Sequence, residues 1–209
     1  MKICFLGAGA LGSVLGGVLT EAGDEVWLID RSPAHVDAIN ARGLNLREDG
    51  VDRVIAARAR TSAEGIGPAD LVVVLVKSFQ TRDAIHGAGA LVGPDTVVMS
   101  LQNGLGHEEI LAEVVGRERV LAGKTYVGAV LLGPGHAIAG VRGKLTHIGE
   151  LDGRITERAL RIADTFTCAG LATTVSDNIV GTMWDKLLVN VATGALCAIT
   201  RLPYGQLYT

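Results

Sequence analysis

A chain of 209 residues, 48% apolar and 20% charged, has the length and apolar content for one substantial core, or for one domain and part of another, and is no disordered chain. Its 19 basic and 22 acidic residues leave a net charge of -3 with no run of Lys or Arg, which argues against nucleic acid or a membrane surface as partner. No apolar stretch approaches the ~20 residues of a membrane span and the first strand starts at Lys2, leaving no room for a signal peptide, so a cytoplasmic protein is expected.

The stretch Lys2–Gly12, KICFLGAGALG, reads as a strand, a tight turn and a helix start. Gly7, Ala8, Gly9, Ala10, Leu11 and Gly12 form a G-x-G-x-x-G loop, in which Gly7 permits the bend, Gly9 lets backbone approach a pyrophosphate, and Gly12 lets helix and strand pack closely. Phosphate would rest on the free N–H groups of the helix start. Helical spacing of Leu11, Val14, Leu15, Val18 and Leu19, then a second strand at Glu25–Ile29, supply the βαβ context; the alternative is a structural glycine turn.

That second strand ends in Asp30 and Arg31, where dinucleotide folds meet the adenosine ribose. A carboxylate accepts from the free 2′-OH of NAD and a guanidinium pairs with the 2′-phosphate of NADP, so both cofactors stay open. Asp30 could equally cap the helix starting near Ser32-Pro33. Residues 43–61 read as a small hairpin or decorated crossover outside the core sheet. The aliphatic run of Asp70–Lys77 is a strand buried on both faces, which brings Lys77 to the ligand-binding edge of an open sheet, as a ligand or as a solvated lysine. The Thr96–Leu101 strand delivers Asn103 to the same edge, as a polar ligand or a turn residue before Gly104. Further strands are expected at Val120–Gly123, Tyr126–Leu132 and Leu145–Gly149, with the Gly133-Pro134-Gly135 turn between the last two; a helix at Ile155–Ala169 and a strand at Ala172–Val175 follow.

Ser176-Asp177-Asn178 marks a boundary and a helix start. Beyond it Trp184, Leu187, Leu188, Val191, Ala195 and Ala198 form one broad apolar side, and Lys186, Asn190, Thr193 and Cys197 form a narrow arc opposite. Such an arc, nearly free of the charges of a solvated face, suits a stripe facing a site, against the reading of a solvated lysine on a core helix. Cys4, Cys168 and Cys197 lack metal spacing and read as reduced thiols in or near the core, and the scattered histidines propose no metal site.

The motifs KICFLGAGALG, VKSFQ around Lys77, LQNGLG around Asn103, LTHIGE near His147, and MWDKLLVN followed by AIT resemble, in order and across essentially the whole chain, those of the ketopantoate reductases, or 2-dehydropantoate 2-reductases. The resemblance implies reduction of the 2-dehydropantoate ketone by NADPH to give pantoate, toward pantothenate and coenzyme A. It implies Lys186 as the catalytic lysine, Asn103 and Asn190 in contact with cofactor or substrate, and Arg31, Lys77 and Ala129 near the cofactor. An ammonium beside the ketone would stabilise the developing negative charge and supply the proton.

Three departures stand out. Family members commonly carry a second substrate-binding asparagine where this chain has Gly194, Asp30 beside Arg31 could shift preference toward NADH, and at Thr209 the chain is only just into the helical domain that contributes a serine and a glutamate to the family's substrate site. The expected architecture is α/β, a doubly wound Rossmann-type mostly parallel sheet over residues 1–176, followed at 177–209 by the start of an all-α substrate or dimerisation domain. Reduction of another small 2-oxoacid, and a dinucleotide-binding module without catalysis, are the competing functions. If the chain is whole, the apolar side of Trp184–Ala198 calls for cover by oligomerisation, as in a homodimer.

Overall fold

The computed structural model describes residues 1–208. Strands Lys2–Leu6 (β1) and Glu25–Ile29 (β2) flank helix Ala10–Glu21 (α1), and helix Pro33–Arg42 (α2) follows. Next come a hairpin of Leu44–Glu48 (β3) and Val51–Ile55 (β4), then Arg58–Arg60 (β5), Leu71–Val74 (β6), helix Thr81–His86 (α3), Val97–Ser100 (β7), helix His107–Val115 (α4) and Val120–Thr125 (β8). A second hairpin, Gly128–Gly133 (β9) and His136–Gly140 (β10), precedes Thr146–Glu150 (β11), helix Glu157–Cys168 (α5), Thr173–Val175 (β12) and the long helix Ile179–Thr200 (α6).

Eight strands form the main sheet in the order β12-β11-β8-β7-β6-β1-β2-β5, parallel throughout except where β8 meets β11. From β1 the chain runs outward one way through β2 and then returns to β6 and runs the other way, so the strand order reverses at the β1/β6 boundary. The carboxyl ends beside that boundary open a crevice for ligands. A doubly wound, mostly parallel sheet is thus what the alternating apolar runs build.

The two hairpins join into a second sheet, β4-β3-β10-β9. This corrects the sequence reading twice. The Gly133–Gly135 turn links β9 to β10, a strand not anticipated, rather than leading directly to the strand at 145–149; and the segment after the first hairpin returns to the main sheet as the edge strand β5. Helix α1 lies between the sheets: a Cβ on Gly16 would meet Leu28 Cδ2 at 2.4 Å, and one on Gly17 would meet Leu44 and Leu46 at 2.9 Å. Two adjacent small residues therefore let one helix touch a sheet on either side, which is why it is apolar nearly all round.

The start of α6 packs on β8 through Ile179, Met183 and Ala122. Its Lys186, Leu187, Thr193 and Cys197 are half-buried, whereas Trp184 and Leu188 are 50% and 62% exposed. Of the polar arc, Lys186 reaches the body of the molecule while Asn190 is exposed, and the apolar side is open, except that Leu187 is half-buried. Cys4 is buried, but Cys168 is exposed, not near the core as expected. No helix among the described residues is long and apolar enough to cross a membrane, and they contain no cluster of potential metal ligands.

Candidate functional site

At the carboxyl end of β1 the N–H groups of Gly7 and Ala8 both donate to the Ile29 carbonyl, at 2.9 Å each, which turns the chain sharply into α1. Gly7 has φ +100°, and a Cβ there would lie 2.7 Å from Val76 N. The fold itself therefore demands glycine at this position. Gly9 differs: its φ of −65° is open to any residue, and an added Cβ would meet nothing within 4 Å. No protein atom accounts for the missing side chain, whereas a phosphate drawn close to the backbone would. The first turn of α1 carries no acidic residue, and its leading N–H groups lack intrahelical acceptors, so an anion fits there.

Gly9, Asp30, Ser32 and His35 form one wall of a cleft of about 180 Å³, and Leu131–Pro134, from the end of β9 and its turn, form the other. Asp30 Oδ1 accepts from Ser32 N–H at 2.9 Å, while the Ser32 hydroxyl caps α2 by accepting from His35 N–H at 3.4 Å, so Ser32 rather than Asp30 is the helix cap. His35, 3% exposed, accepts at Nδ1 from Gly135 N–H at 3.0 Å, which leaves Nε2 as the protonated nitrogen of the neutral ring and donor to Ser13 Oγ at 3.1 Å. Ser13 Oγ in turn donates to Ala8 O at 2.8 Å, tying the β9–β10 turn to the glycine loop. Arg31 and Lys77 are exposed, and among the described residues their side chains make no hydrogen bond or ion pair; the Lys77 carbonyl accepts from Gln80 N–H at 2.7 Å. Ala129 sits on β9 opposite Ala139, partly buried against the core.

Farther along the same edge, Lys186 reaches from α6 to the ends of β7 and β8. Its Nζ donates to Asn103 Oδ1 at 2.8 Å and to Thr125 O at 2.6 Å. Burial, then the neighbouring Lys124 charge, lower its pKa from the ordinary lysine value. Asn190 lines the same narrow cleft with Asn103, Gly104, Lys124 and Met183. Gln102 fixes the loop: its Nε2 donates to Val76 O at 2.7 Å and to Thr81 Oγ1 at 2.9 Å, binding the end of β7 to that of β6, and His107 Nε2 lies 3.1 Å from Asn103 O.

Residues scattered from 7 to 190 thus share one sheet edge. The sequence reading attached no role to His35, Gln102, Lys124, Thr125 or Tyr126. A signal existed for Lys124, a lone charge inside the otherwise apolar and small-residue strand VLAGKT; Thr125 acts through its backbone carbonyl, which side-chain chemistry does not reveal.

The sequence pattern of the ketopantoate reductase PanE/ApbA family matches residues 3–153. The chain belongs to this family. A 2-dehydropantoate 2-reductase of Pyrococcus horikoshii is 42% identical over 208 residues, covering 99% of this chain and 66% of the relative. The crystal structure of a PanE/ApbA family ketopantoate reductase from Ralstonia eutropha is 38% identical, with a TM-score of 0.88 and coverage of 100% of this chain and 67% of that one. D-mandelate dehydrogenase, in a ternary structure with NADH and anilino(oxo)acetate, is 31% identical at a TM-score of 0.88, covering 97% of this chain and 65% of that one. This chain spans about two thirds of the length of these relatives. The family comprises NAD(P)-dependent reductases of 2-oxoacids.

Proposed function

We propose that this chain supplies the dinucleotide site and the proton donor of a reductase that converts 2-dehydropantoate to pantoate with NADPH, residues 177–209 opening a helical substrate domain. The observation that carries the reading is the tethering of Lys186 by two neutral acceptors, Asn103 Oδ1 and Thr125 O. An ammonium has three N–H donors, and two are committed, so the third is the one offered to a ligand. The bound cofactor would supply a hydride to the ketone carbon. Lys186 would hold the ketone oxygen, offset the negative charge building on it and give it a proton, becoming a neutral amine as the ketone becomes an alcohol. Its lowered pKa suits this donation, because a less basic amine parts with its proton more readily near neutrality. Asn190, one turn along α6, would hold the substrate's polar end.

For the cofactor, the glycine loop would take the diphosphate, Arg31 a 2′-phosphate, and Lys77, Asn103 and Ala129 would flank the bound molecule. Asp30 pulls the other way, toward NADH, and the NADH complex of D-mandelate dehydrogenase makes NADH the second reading. Gly194, at the place of the family's second asparagine, likewise favours another small 2-oxoacid as the second substrate reading.

The test is steady-state reduction of 2-dehydropantoate and a panel of 2-oxoacids with each cofactor, beside fluorescence titration of cofactor binding. Lys186→Ala should lose turnover by about 10²–10⁴-fold while cofactor affinity holds. Wild-type turnover should fall on the alkaline side at a pH below the ordinary lysine range. Unchanged turnover in Lys186→Ala removes the lysine from the mechanism, and cofactor binding without turnover on any 2-oxoacid removes the reductase reading.

A further inference from the structure

We propose that Lys124 anchors the carboxylate of the 2-oxoacid, an inference that rests on the reductase reading of the same cleft. Side chains alternate along β8, so Ala122, Lys124 and the following Tyr126 share the face covered by α6, with Ala122 against Ile179 and Met183. Lys124 is 6% exposed, and its Nζ donates to the Tyr126 hydroxyl at 3.2 Å. The Lys124 and Lys186 ammonium groups stand 5.1 and 5.7 Å from the centroid of the same tyrosine ring. Among the described residues, none of the ion pairs includes either lysine.

With Lys124 buried and Lys186 half-buried, the two neighbouring ammonium groups repel each other and forfeit part of their hydration, a cost that an intervening anion relieves. The described residues offer none here. Directly across the ladder from Lys124 is His147, whose Nδ1 engages Thr174 Oγ1 at 2.9 Å and whose protonation is disfavoured by burial and then by the Lys124 charge. The titratable groups on this face are thus His147, Tyr126 and the two lysines, and the one acid adjoining Lys186 on α6, Asp185, is exposed.

The anion that fits is the substrate's rather than the cofactor's. The lysines lie over β8, three strands from β1 in the sheet order, roughly 14 Å at ~4.8 Å per strand, whereas the diphosphate would rest at the glycine loop that follows β1. In a 2-oxoacid the carboxylate is bonded to the ketone carbon itself. A ketone oxygen on Lys186 therefore brings the carboxylate beside the second ammonium, which has donors to spare beyond its bond to Tyr126. Lys124 in this role sets the substrate class, an acid rather than a neutral ketone, and orients the ketone toward its proton donor.

The probe is oxamate, an unreactive analogue of a 2-oxoacid, titrated in the presence of saturating cofactor, in wild type, Lys124→Met and Lys124→Arg. The expected result is an oxamate Kd raised about tenfold or more in Lys124→Met, substantial recovery in Lys124→Arg, and cofactor affinity within about twofold throughout. In turnover, KM for the 2-oxoacid should rise more than kcat falls. If Lys124→Met does not fold, Lys124→Gln, which keeps a donor for the Tyr126 hydroxyl without the charge, replaces it. Wild-type oxamate affinity in the uncharged variant overturns the assignment while leaving the reductase reading standing. Oxamate binding that depends on Lys124 in a chain that reduces no 2-oxoacid sustains the anchor and overturns the reductase, and a wild-type chain that binds no oxamate overturns both.

Discussion

Replacing Gly9 by alanine separates what the ligand requires from what the fold requires. The added Cβ would meet no protein atom within 4 Å and the backbone φ is −65°, so the folded state has room for it. Alanine at such a site reduces unfolded-state entropy, a gain of about 0.4–1 kcal/mol, and loses a helix-cap preference of a few tenths to about 1 kcal/mol. The two nearly cancel, and the melting temperature should move by no more than about 2 °C. Gly7→Ala is the contrast: a positive φ costs roughly 1–2 kcal/mol and overpacking against the Leu75–Val76 backbone about 1–3 kcal/mol more. At about 2–4 °C per kcal/mol that variant should melt roughly 5–15 °C lower. Cofactor binding should respond in the opposite order. A methyl group at residue 9 holds a phosphate oxygen away from the helix-start amides, forfeiting a charge-assisted hydrogen bond of about 1.5–3 kcal/mol, or one to two decades in Kd. Differential scanning fluorimetry and cofactor fluorescence titration read the two effects on the same samples. A Gly9→Ala protein that binds NADPH or NADH like wild type, or that melts as low as Gly7→Ala, would refute the reasoning.

Two further predictions concern stability and substrate choice. Glu150, 5% exposed, accepts from Arg158 Nε and Nη2 at 2.7 Å each and from Thr156 Oγ1 at 2.6 Å. Burial alone would raise its pKa, but the bonds from Arg158 and Thr156 outweigh that and hold the carboxyl below the ordinary glutamate range. Because the folded pKa is depressed, the stabilisation is present above the unfolded value, about 4.3, and fades as pH falls through the lower folded value. Arg158→Met should therefore cost about 2 kcal/mol at pH 7, discounted because Arg158 is 29% exposed, and progressively less as pH falls below the unfolded value; a cost in urea unfolding that stays constant on acidification would count against the account. Gly194 stands in α6 with nothing within 4 Å of an added Cβ, so Gly194→Asn should fold normally and lower KM for 2-dehydropantoate relative to smaller 2-oxoacids; an unchanged ratio would show that this position does not choose the substrate.

Segments whose own chemistry dictates their structure were legible in the sequence. The runs at β1, β6 and β7 are aliphatic and bounded by turns, and the glycine loop announces its bend. Strand β5 was not legible, since Ala59 between two arginines has no pattern to read. It is a strand because Asn40 on α2 clamps it, accepting from Ala59 N–H at 3.0 Å and donating to Ala59 O at 2.9 Å, and because Asp30 N–H donates to Arg60 O at 3.1 Å. Strand β10, HAIAG, has alanine and glycine of low strand propensity and holds its place by pairing with β3 on one side and β9 on the other. The site divides the same way. Gly9, Asp30 and Lys186 were visible through residue type and spacing, whereas the His35 link to Gly135 spans 100 residues and depends on a contact that no local pattern encodes.

Among the described residues, the hydrogen-bond partners of Lys186 include no carboxylate. A lysine drawn partly out of water is usually made tolerable by an acid, but an acid would stabilise the charged form, raise the pKa and occupy a donor. The amide of Asn103 and the carbonyl of Thr125 fix the direction of the ammonium with dipoles instead of charge. Orientation is retained while the positive charge stays unneutralised, and the Lys124 charge pushes the pKa in the same direction as burial does. Such an arrangement is costly for a chain that only folds. Under the proposed reductase reading, an arriving 2-oxoacid would supply the missing charge, and the reaction would consume the proton on Lys186.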